Sequence, residues 1–380
     1  MPHRVLVVVG TRPEAIKMAP VVAALRGRAP ELETRVCFTG QHTALVDQVL
    51  ETFDLKPDDD LGIMREGQSL YDVIHDALDG LRDVTRSCRP EVILVQGDTA
   101  TVFVGSLVAF LEGVKVGHVE AGLRSHDKWA PFPEEVFRRL ADVLADYYFA
   151  PTVRAREALV REGVPPGRVY LTGNTVVDAL LSVADTDRPV RDPALARVLG
   201  GDRRLVLVTA HRRESFGEPL REVFGALRSL ADAVPDVEVV YPVHPNPNVR
   251  APAEELLSGH ARIHLTEPLD YLDLVSALRR AALILTDSGG IQEEAPTFGT
   301  PVLVLREVTE RPEGVEAGVA ELVGTGGERV RERALAILRA DPVSRGVRPN
   351  PYGDGKAAER IADILLSDLA GRPRTTRDLA

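Results

Sequence analysis

Short apolar runs alternate with longer stretches of helical apolar spacing along the whole chain. The runs fall at Val5–Val9, Thr34–Phe38, Val92–Val95, Lys115–Val119 and Tyr147–Ala150, each ahead of a segment patterned for an amphipathic helix. A second series follows at Leu205–Thr209, Val237–Tyr241, Arg262–Leu265, Leu283–Thr286 and Val302–Leu305. Continuous Val/Ile/Leu runs predict strands covered on both faces, and their alternation with helices predicts parallel β/α units. The stretch between the series, 182–201, is the least patterned and is rich in Asp, Arg and Pro. The pattern therefore predicts an α/β protein of two Rossmann-like domains facing a central cleft, with ligands at the carboxyl ends of the strands. Domain boundaries are expected at 1–171 and 172–350, with the crossover near Leu171–Asn174. In 351–380, a long amphipathic helix over Gly355–Leu369 is expected to cross back to the first domain, ahead of a frayed tail at Thr375–Ala380.

The polar residues that follow the strands supply the candidate chemistry. Thr286-Asp-Ser-Gly-Gly-Ile-Gln-Glu-Glu-Ala-Pro296 leaves a buried strand, turns at Ser288–Gly290 and enters a helix expected from Ile291. Ser288, Gly289 and Gly290 would aim backbone N–H groups and the positive helix end at a phosphate. The next carboxylates, Glu293 and Glu294, would be within reach of a sugar hydroxyl. The turn lacks the Lys-Ser/Thr ending of a P-loop and the GxGxxG spacing of a dinucleotide fold, so packing is the competing reading. After the first strand, Gly10-Thr-Arg-Pro-Glu-Ala-Ile-Lys17 puts Pro13 at a helix start, with Arg12 and Lys17 suited to a diphosphate. Asp98 in Gln96-Gly-Asp-Thr99 and Glu120 in His118-Val-Glu-Ala-Gly-Leu-Arg124 end successive strands. Glu134 and Glu135 open a later helix, where they would suit its dipole. Acids gathered at strand ends shift one another's pKa, which acid/base work requires. His211, beside Arg212 and Arg213, follows a strand of the second domain, and His244 lies in a rigid His-Pro-Asn-Pro turn.

Composition narrows the class. At 380 residues the chain can bury two cores, and a net charge of −11 argues against nucleic acid as partner. Cys37 and Cys88 form no disulfide framework, and no HExxH, DxDxDG or Cys/His cluster predicts a metal. Val5–Val9 is too short for a signal or membrane segment, so a cytoplasmic protein is expected.

Taken together, Gly10–Pro20, Gly97-Asp-Thr99, His118–Arg124, Pro133-Glu-Glu135, Gly173-Asn-Thr175, Ala210–Ser215, Thr286–Pro296, Thr309-Glu-Arg-Pro312 and Asn350-Pro-Tyr-Gly-Asp-Gly355 resemble the signature of the bacterial non-hydrolysing UDP-N-acetylglucosamine 2-epimerases. The resemblance runs from Arg4 to Leu369. It implies a glycosyltransferase-B-like architecture, a homodimer and reversible epimerisation at C2 of UDP-N-acetylglucosamine to UDP-N-acetylmannosamine, supplying cell-surface polysaccharide precursors. No metal or nicotinamide cofactor is implied. The implied route eliminates UDP to 2-acetamidoglucal and adds it back with the proton on the opposite face. Asp98, Glu120 and Glu134 would be the catalytic acids, with His211 beside them in the machinery. Arg12, Lys17, His211 and Arg311 would hold the diphosphate, Ser288, Gly289 and Gly290 would donate from the backbone, and Glu294 would bind ribose. A second UDP-sugar is implied as effector at Gln41, Glu134, Arg212 and His244, although Ala44 and Gly67 stand where some relatives carry Gln and Arg. Leu269 and Leu274 replace Gln and Phe found beside uracil in some relatives. A hydrolysing epimerase, a glycosyltransferase of the same architecture and a non-catalytic sugar-nucleotide sensor are the rival readings.

Overall fold

The computed structural model describes residues 2–40, 44–65, 67–186, 188–340 and 348–380, which divide into two compact units. Unit 1 comprises Met1–Ser182 and Tyr352–Ala380, and unit 2 comprises Val183–Pro351. In unit 1 the chain runs β1 (His3–Val9), α1 (Arg12–Arg26), β2 (Leu32–Phe38), α2 (Ala44–Thr52), β3 (Asp59–Asp60), α3 (Leu70–Cys88), β4 (Val92–Gln96) and α4 (Ala100–Leu111). It continues through β5 (Lys115–Val119), α5 (Glu134–Leu144), β6 (Tyr147–Ala150), α6 (Val153–Arg161), β7 (Val169–Leu171) and α7 (Thr175–Val183). Its seven strands lie in the order β3-β2-β1-β4-β5-β6-β7, all parallel.

Unit 2 contains α8 (Pro193–Leu199), β8 (Arg204–Thr209), α9 (Glu218–Ala233), β9 (Val237–Pro242), α10 (Pro247–Leu257), β10 (Ile263–Thr266) and α11 (Tyr271–Arg280). Then follow β11 (Ala281–Thr286), α12 (Gly289–Glu294), β12 (Val302–Val304), α13 (Pro312–Glu316), β13 (Ala320–Leu322) and α14 (Gly327–Arg339). The sheet order is β10-β9-β8-β11-β12-β13, again parallel. The apolar runs at Val206, Val208, Val239, Leu283, Leu285 and Leu303 are buried beneath α9, α10 and α14, which explains why these strands carry no polar alternation.

The final helix, α15 (Ala357–Ala370), belongs to unit 1 and packs on α1. The unit division falls after Ser182, later than the expected 171/172. Helix α7 stays with unit 1 because the returning chain grips it: Asn174 N–H donates to the Tyr352 carbonyl at 2.7 Å and Ala358 N–H to Asp178 Oδ1 at 2.8 Å. Burial raises the Asp178 carboxyl to about 6 despite these backbone donors. The tail is docked rather than frayed. Asp363 accepts from the backbone and hydroxyl groups of both Thr375 and Thr376. Leu379 N–H donates to the Leu171 carbonyl at 2.8 Å, and Leu171 N–H to the Asp378 side chain at 3.2 Å, so the last residues are pinned beside the edge strand β7. Burial works against ionising Asp363, but the threonine donors prevail and hold it down at about 2.

Candidate active site

Each unit carries one polar cluster at the same place in its sheet. The strand order reverses between β1 and β4 in unit 1 and between β8 and β11 in unit 2, and the loops leaving these strands diverge there. Such switch points are where open parallel sheets bind ligands.

In unit 1, Thr11 caps α1 in a reciprocal box with Glu14. Gly10 must be glycine, since a Cβ there would lie 2.4 Å from Thr101 Oγ1 and 2.9 Å from Thr39 Oγ1. Glu14 is buried and accepts from Gly10 N–H at 2.6 Å, Thr11 N–H at 3.3 Å and the Thr99 hydroxyl at 2.7 Å. It thereby joins the loop carrying Arg12 to the loop carrying Asp98. Burial outweighs these donors and pushes its carboxyl up to about 7.

Asp98 and Glu120 follow their strands as expected, with Glu134 at the start of α5, and the hydrogen bonds of Asp98 and Glu120 come from cations and amides rather than from other acids. Asp98 pairs with Arg138 at 2.5 Å. Glu120 follows β5 in the left-handed region (φ 67), an unfavourable conformation for a side chain of this size. Lys17 Nζ donates to both of its oxygens at 2.8 Å, Asn174 Nδ2 to Oε1 at 3.2 Å and Gln96 Nε2 to Oε2. Lys17, expected on a diphosphate, is thus seated on the carboxylate of Glu120 in this structure. Glu134 opens α5, and its Oε2 is buried with no hydrogen-bond partner among the described residues. An unsatisfied buried oxygen is costly and invites a ligand donor. Glu135 is fully buried, so it does more than complement the helix dipole. It receives Ser125 N–H at 2.9 Å, His126 N–H at 3.2 Å and Arg138 at 3.1 Å, anchoring the loop that precedes α5.

In unit 2, Thr209 and Thr286 close the switch point with a hydroxyl–hydroxyl bond of 2.6 Å. Asp287, 1% exposed, takes His211 N–H at 2.7 Å and Arg212 N–H at 2.8 Å on Oδ2. Its Oδ1 lies 3.1 Å from His211 Nδ1. That oxygen is buried without a hydrogen-bond partner among the described residues, so Asp287 holds this loop through the amides of His211 and Arg212. The buried Tyr241 hydroxyl donates to the Ala210 carbonyl at 2.6 Å and fixes the residue before it. His244 stacks on His211 with ring centroids 5.4 Å apart and accepts from Asn246 N–H at 3.1 Å. Nδ1, as an acceptor, carries no proton, and burial, reinforced by the histidine neighbour, lowers the His244 pKa in the same sense.

Helix α12 starts at Gly289, two residues earlier than the sequence pattern predicts. Ser288 N–H is already committed to Thr286 Oγ1 at 2.9 Å, so the backbone donors for a ligand reduce to Gly289 and Gly290 in the first turn. A Cβ on Gly289 would sit 3.8 Å from the Arg311 guanidinium and 4.0 Å from that of Arg212, so two cations converge on this turn. Arg311 is oriented by Glu293, and Glu293 and Glu294 are both buried. Asn350 holds the helix from behind through the Glu293 carbonyl and the Thr297 hydroxyl, each at 2.9 Å.

Gln41 lies outside the described residues. Among the described residues no group of three or more His, Cys, Asp or Glu side chains could hold a metal ion, and no helix is long and apolar enough to cross a membrane. Sequence reasoning missed Gln96, Asn174, Arg138 and Asp287, whose roles arise from contacts across the fold. Glu14 had a local signal, the Thr11-x-x-Glu14 capping pattern.

A family profile described as UDP-N-acetylglucosamine 2-epimerase matches residues 24–366. The UDP-N-acetylglucosamine 2-epimerase of Escherichia coli strain K12 is 47% identical over 372 residues, covering 96% of this chain and 99% of the relative. That of Bacillus subtilis strain 168 is 46% identical over 370 residues, covering 96% of this chain and 95% of the relative. The crystal structure of UDP-GlcNAc 2-epimerase from Neisseria meningitidis bound to UDP-GlcNAc matches with a TM-score of 0.86 and 42% identity, over 96% of this chain and 100% of that one. A kitacinnamycin glycotransferase, 15% identical with a TM-score of 0.64, shares the glycosyltransferase-B-like fold.

Proposed function

This chain belongs to the UDP-N-acetylglucosamine 2-epimerase family, and from that membership we propose that it interconverts UDP-N-acetylglucosamine and UDP-N-acetylmannosamine without net hydrolysis. The C2 hydrogen carries no adjacent carbonyl, so direct deprotonation to a stabilised carbanion is not open to it. In the proposed route a carboxylate takes the C2 proton while the C1–O electron pair leaves with UDP, forming the C1–C2 double bond of 2-acetamidoglucal. Protonation of C2 on the other face and return of UDP to C1 complete the inversion. The sum is redox-neutral.

The route needs acid/base groups near C2 and cations that stabilise departing UDP. Asp98, Glu120 and Glu134 fill the first role. The observation that carries the reading is Glu120, held in a left-handed conformation by Lys17, Gln96 and Asn174 in the same unit as Asp98 and Glu134. Gln96 and Asn174 are neutral amides and Lys17 is a cation, so all three present donors to a carboxylate that can accept the C2 proton. For the second role, Arg311, Arg212 and the amides of Gly289 and Gly290 gather around one turn in unit 2, and His211 offers its ring to the leaving phosphate. Arg12 and Lys17 are the cations that unit 1 offers to the diphosphate, and Glu294 binds ribose hydroxyls. A second UDP-sugar acts as effector through Gln41, Arg212 and His244, the enzyme is a cytoplasmic homodimer, and its product feeds cell-surface polysaccharide precursors.

Product analysis tests this reading against hydrolysis and glycosyl transfer. Starting from either epimer alone, NMR should show the same final ratio of the two UDP-sugars with no lasting UDP. Steady accumulation of UDP and free N-acetylmannosamine would assign a hydrolysing enzyme, and an unchanged UDP-sugar would assign a transferase or a sensor.

A further inference from the structure

The His118–Asp142 pair lies behind the catalytic acids and is not used by the mechanism above. His118 is wholly buried on β5, and Asp142 is 4% exposed on α5. His118 Nδ1 lies 2.7 Å from Asp142 Oδ1, and Nε2 lies 2.7 Å from the Gly97 carbonyl. A carbonyl can only accept, so Nε2 carries a proton. Asp142 also receives Arg124 at 2.7 Å and Gly122 N–H at 3.3 Å on Oδ2, the pattern of an ionised carboxylate, so Nδ1 carries a proton as well. The ring is therefore an imidazolium with both hydrogens used.

Both ends of this pair reach an acid-bearing turn. Gly97, at φ +87, is the residue before Asp98, and Gly122, at φ +90, closes the turn that begins with Glu120 at φ 67. One buried ion pair thus holds the Gly97–Asp98 turn through His118 and the Glu120–Gly122 turn through Asp142. The remaining charges around it balance. Arg124 bridges Asp142 to Glu162, and the Tyr148 ring on β6 adds a phenol kept neutral, its pKa raised by burial and by Asp142. We propose that His118 is a positioning residue, held as an imidazolium, that sets the relative placement of Asp98 and Glu120. Burial opposes its charge, but Asp142 and the Gly97 carbonyl prevail and raise the His118 pKa, in keeping with the geometry. The proposal rests on the reading that Asp98 and Glu120 work at C2.

Two measurements on the full chain test it. The ring nitrogens of the nine histidines can be followed by long-range 1H–15N NMR, with His118→Gln identifying one set of signals. His118 should show the doubly protonated pattern at pH 7.5, about one pH unit above the ordinary imidazole value. A neutral tautomer would overturn the proposal, whatever the reaction mechanism. Kinetically, His118→Gln cannot serve both partners and should lower kcat tenfold or more, with KM within about threefold. Combined with Asp98→Asn it should add little to the loss caused by Asp98→Asn alone. A wild-type kcat, or fully multiplicative losses, would reduce His118 to a packing residue. If His118→Gln does not fold, Asp142→Asn in the NMR experiment decides: loss of the doubly protonated pattern supports the proposal, and an unchanged ring refutes it.

Discussion

Replacing Glu14 with glutamine should stabilise unit 1 progressively as pH rises. Glu14 is 3% exposed, and burial moves its carboxyl from 4.5 to about 7 in spite of the donors Thr99, Gly10 and Thr11. A carboxyl whose folded pKa is raised contributes most to stability below its unfolded pKa. That contribution is lost as pH climbs through the folded value, because the unfolded chain gives up the proton first. The interval from 4.5 to about 7 spans roughly 2.5 pH, each worth about 1.4 kcal/mol, so the full cost at alkaline pH is about 3 kcal/mol. Less than a third of that has developed at pH 5. Glutamine keeps the shape and the bonds: its carbonyl can accept from Gly10 and Thr11, and its amide can donate to Thr99. Urea unfolding of both proteins at pH 5, 6, 7 and 8 gives a difference from which all other titrating groups cancel. The stability advantage of Glu14→Gln should grow by about 2 kcal/mol between pH 5 and 8. An advantage that stays constant across that range, or a variant less stable than wild type at pH 8, would refute the reasoning.

Four further outcomes are expected. Asp98→Asn and Glu120→Gln should each lower kcat by about two to four orders of magnitude with modest change in KM, measured by steady-state conversion of UDP-N-acetylglucosamine. Arg311→Ala leaves the buried Glu293 without its guanidinium, so equilibrium unfolding should show a loss of about 3 kcal/mol and calorimetry a weakened grip on UDP. Asp363→Ala removes the acceptor for Thr375 and Thr376, and hydrogen exchange at Leu379 and Leu171 should rise while the unit 2 amides stay unchanged. With UDP-N-acetylmannosamine alone, turnover should be slow and should rise when a trace of UDP-N-acetylglucosamine is added. In the proposed effector site Ala44 and Gly67 stand where some relatives carry Gln and Arg, so half-activation should need about a hundredfold more effector than in those relatives.

The apolar runs revealed the architecture because strands buried on both faces leave a continuous Val/Ile/Leu signature, and all ten expected strands are present within a few residues of their predicted ends. The three that escaped, β3, β7 and β13, are two or three residues long, too short for any period to register. Helix α8 escaped because it is one short segment inside a Pro- and Asp-rich stretch, signalled only by the Asp192 cap and Pro193. The docking of the tail is not legible because its anchor, Asp363, is an α15 residue with no local mark of that role. In the site, the strand-end motifs pointed to Asp98, Glu120, Glu134, His211 and the Gly289–Gly290 turn. What could not be read was how their partners fold onto them. Lys17 meets Glu120 from 103 positions away and Arg138 meets Asp98 from 40, and no periodicity encodes such meetings.

The proposed elimination turns on breaking the C2–H bond, and solvent isotope reports on that bond directly. UDP-N-acetylglucosamine incubated with the enzyme in deuterated water should equilibrate with UDP-N-acetylmannosamine, both recovered intact and both carrying one deuterium at C2 by mass spectrometry and 1H NMR. Epimers that interconvert with hydrogen retained at C2 would contradict the elimination of UDP and the roles given to Asp98, Glu120 and Glu134.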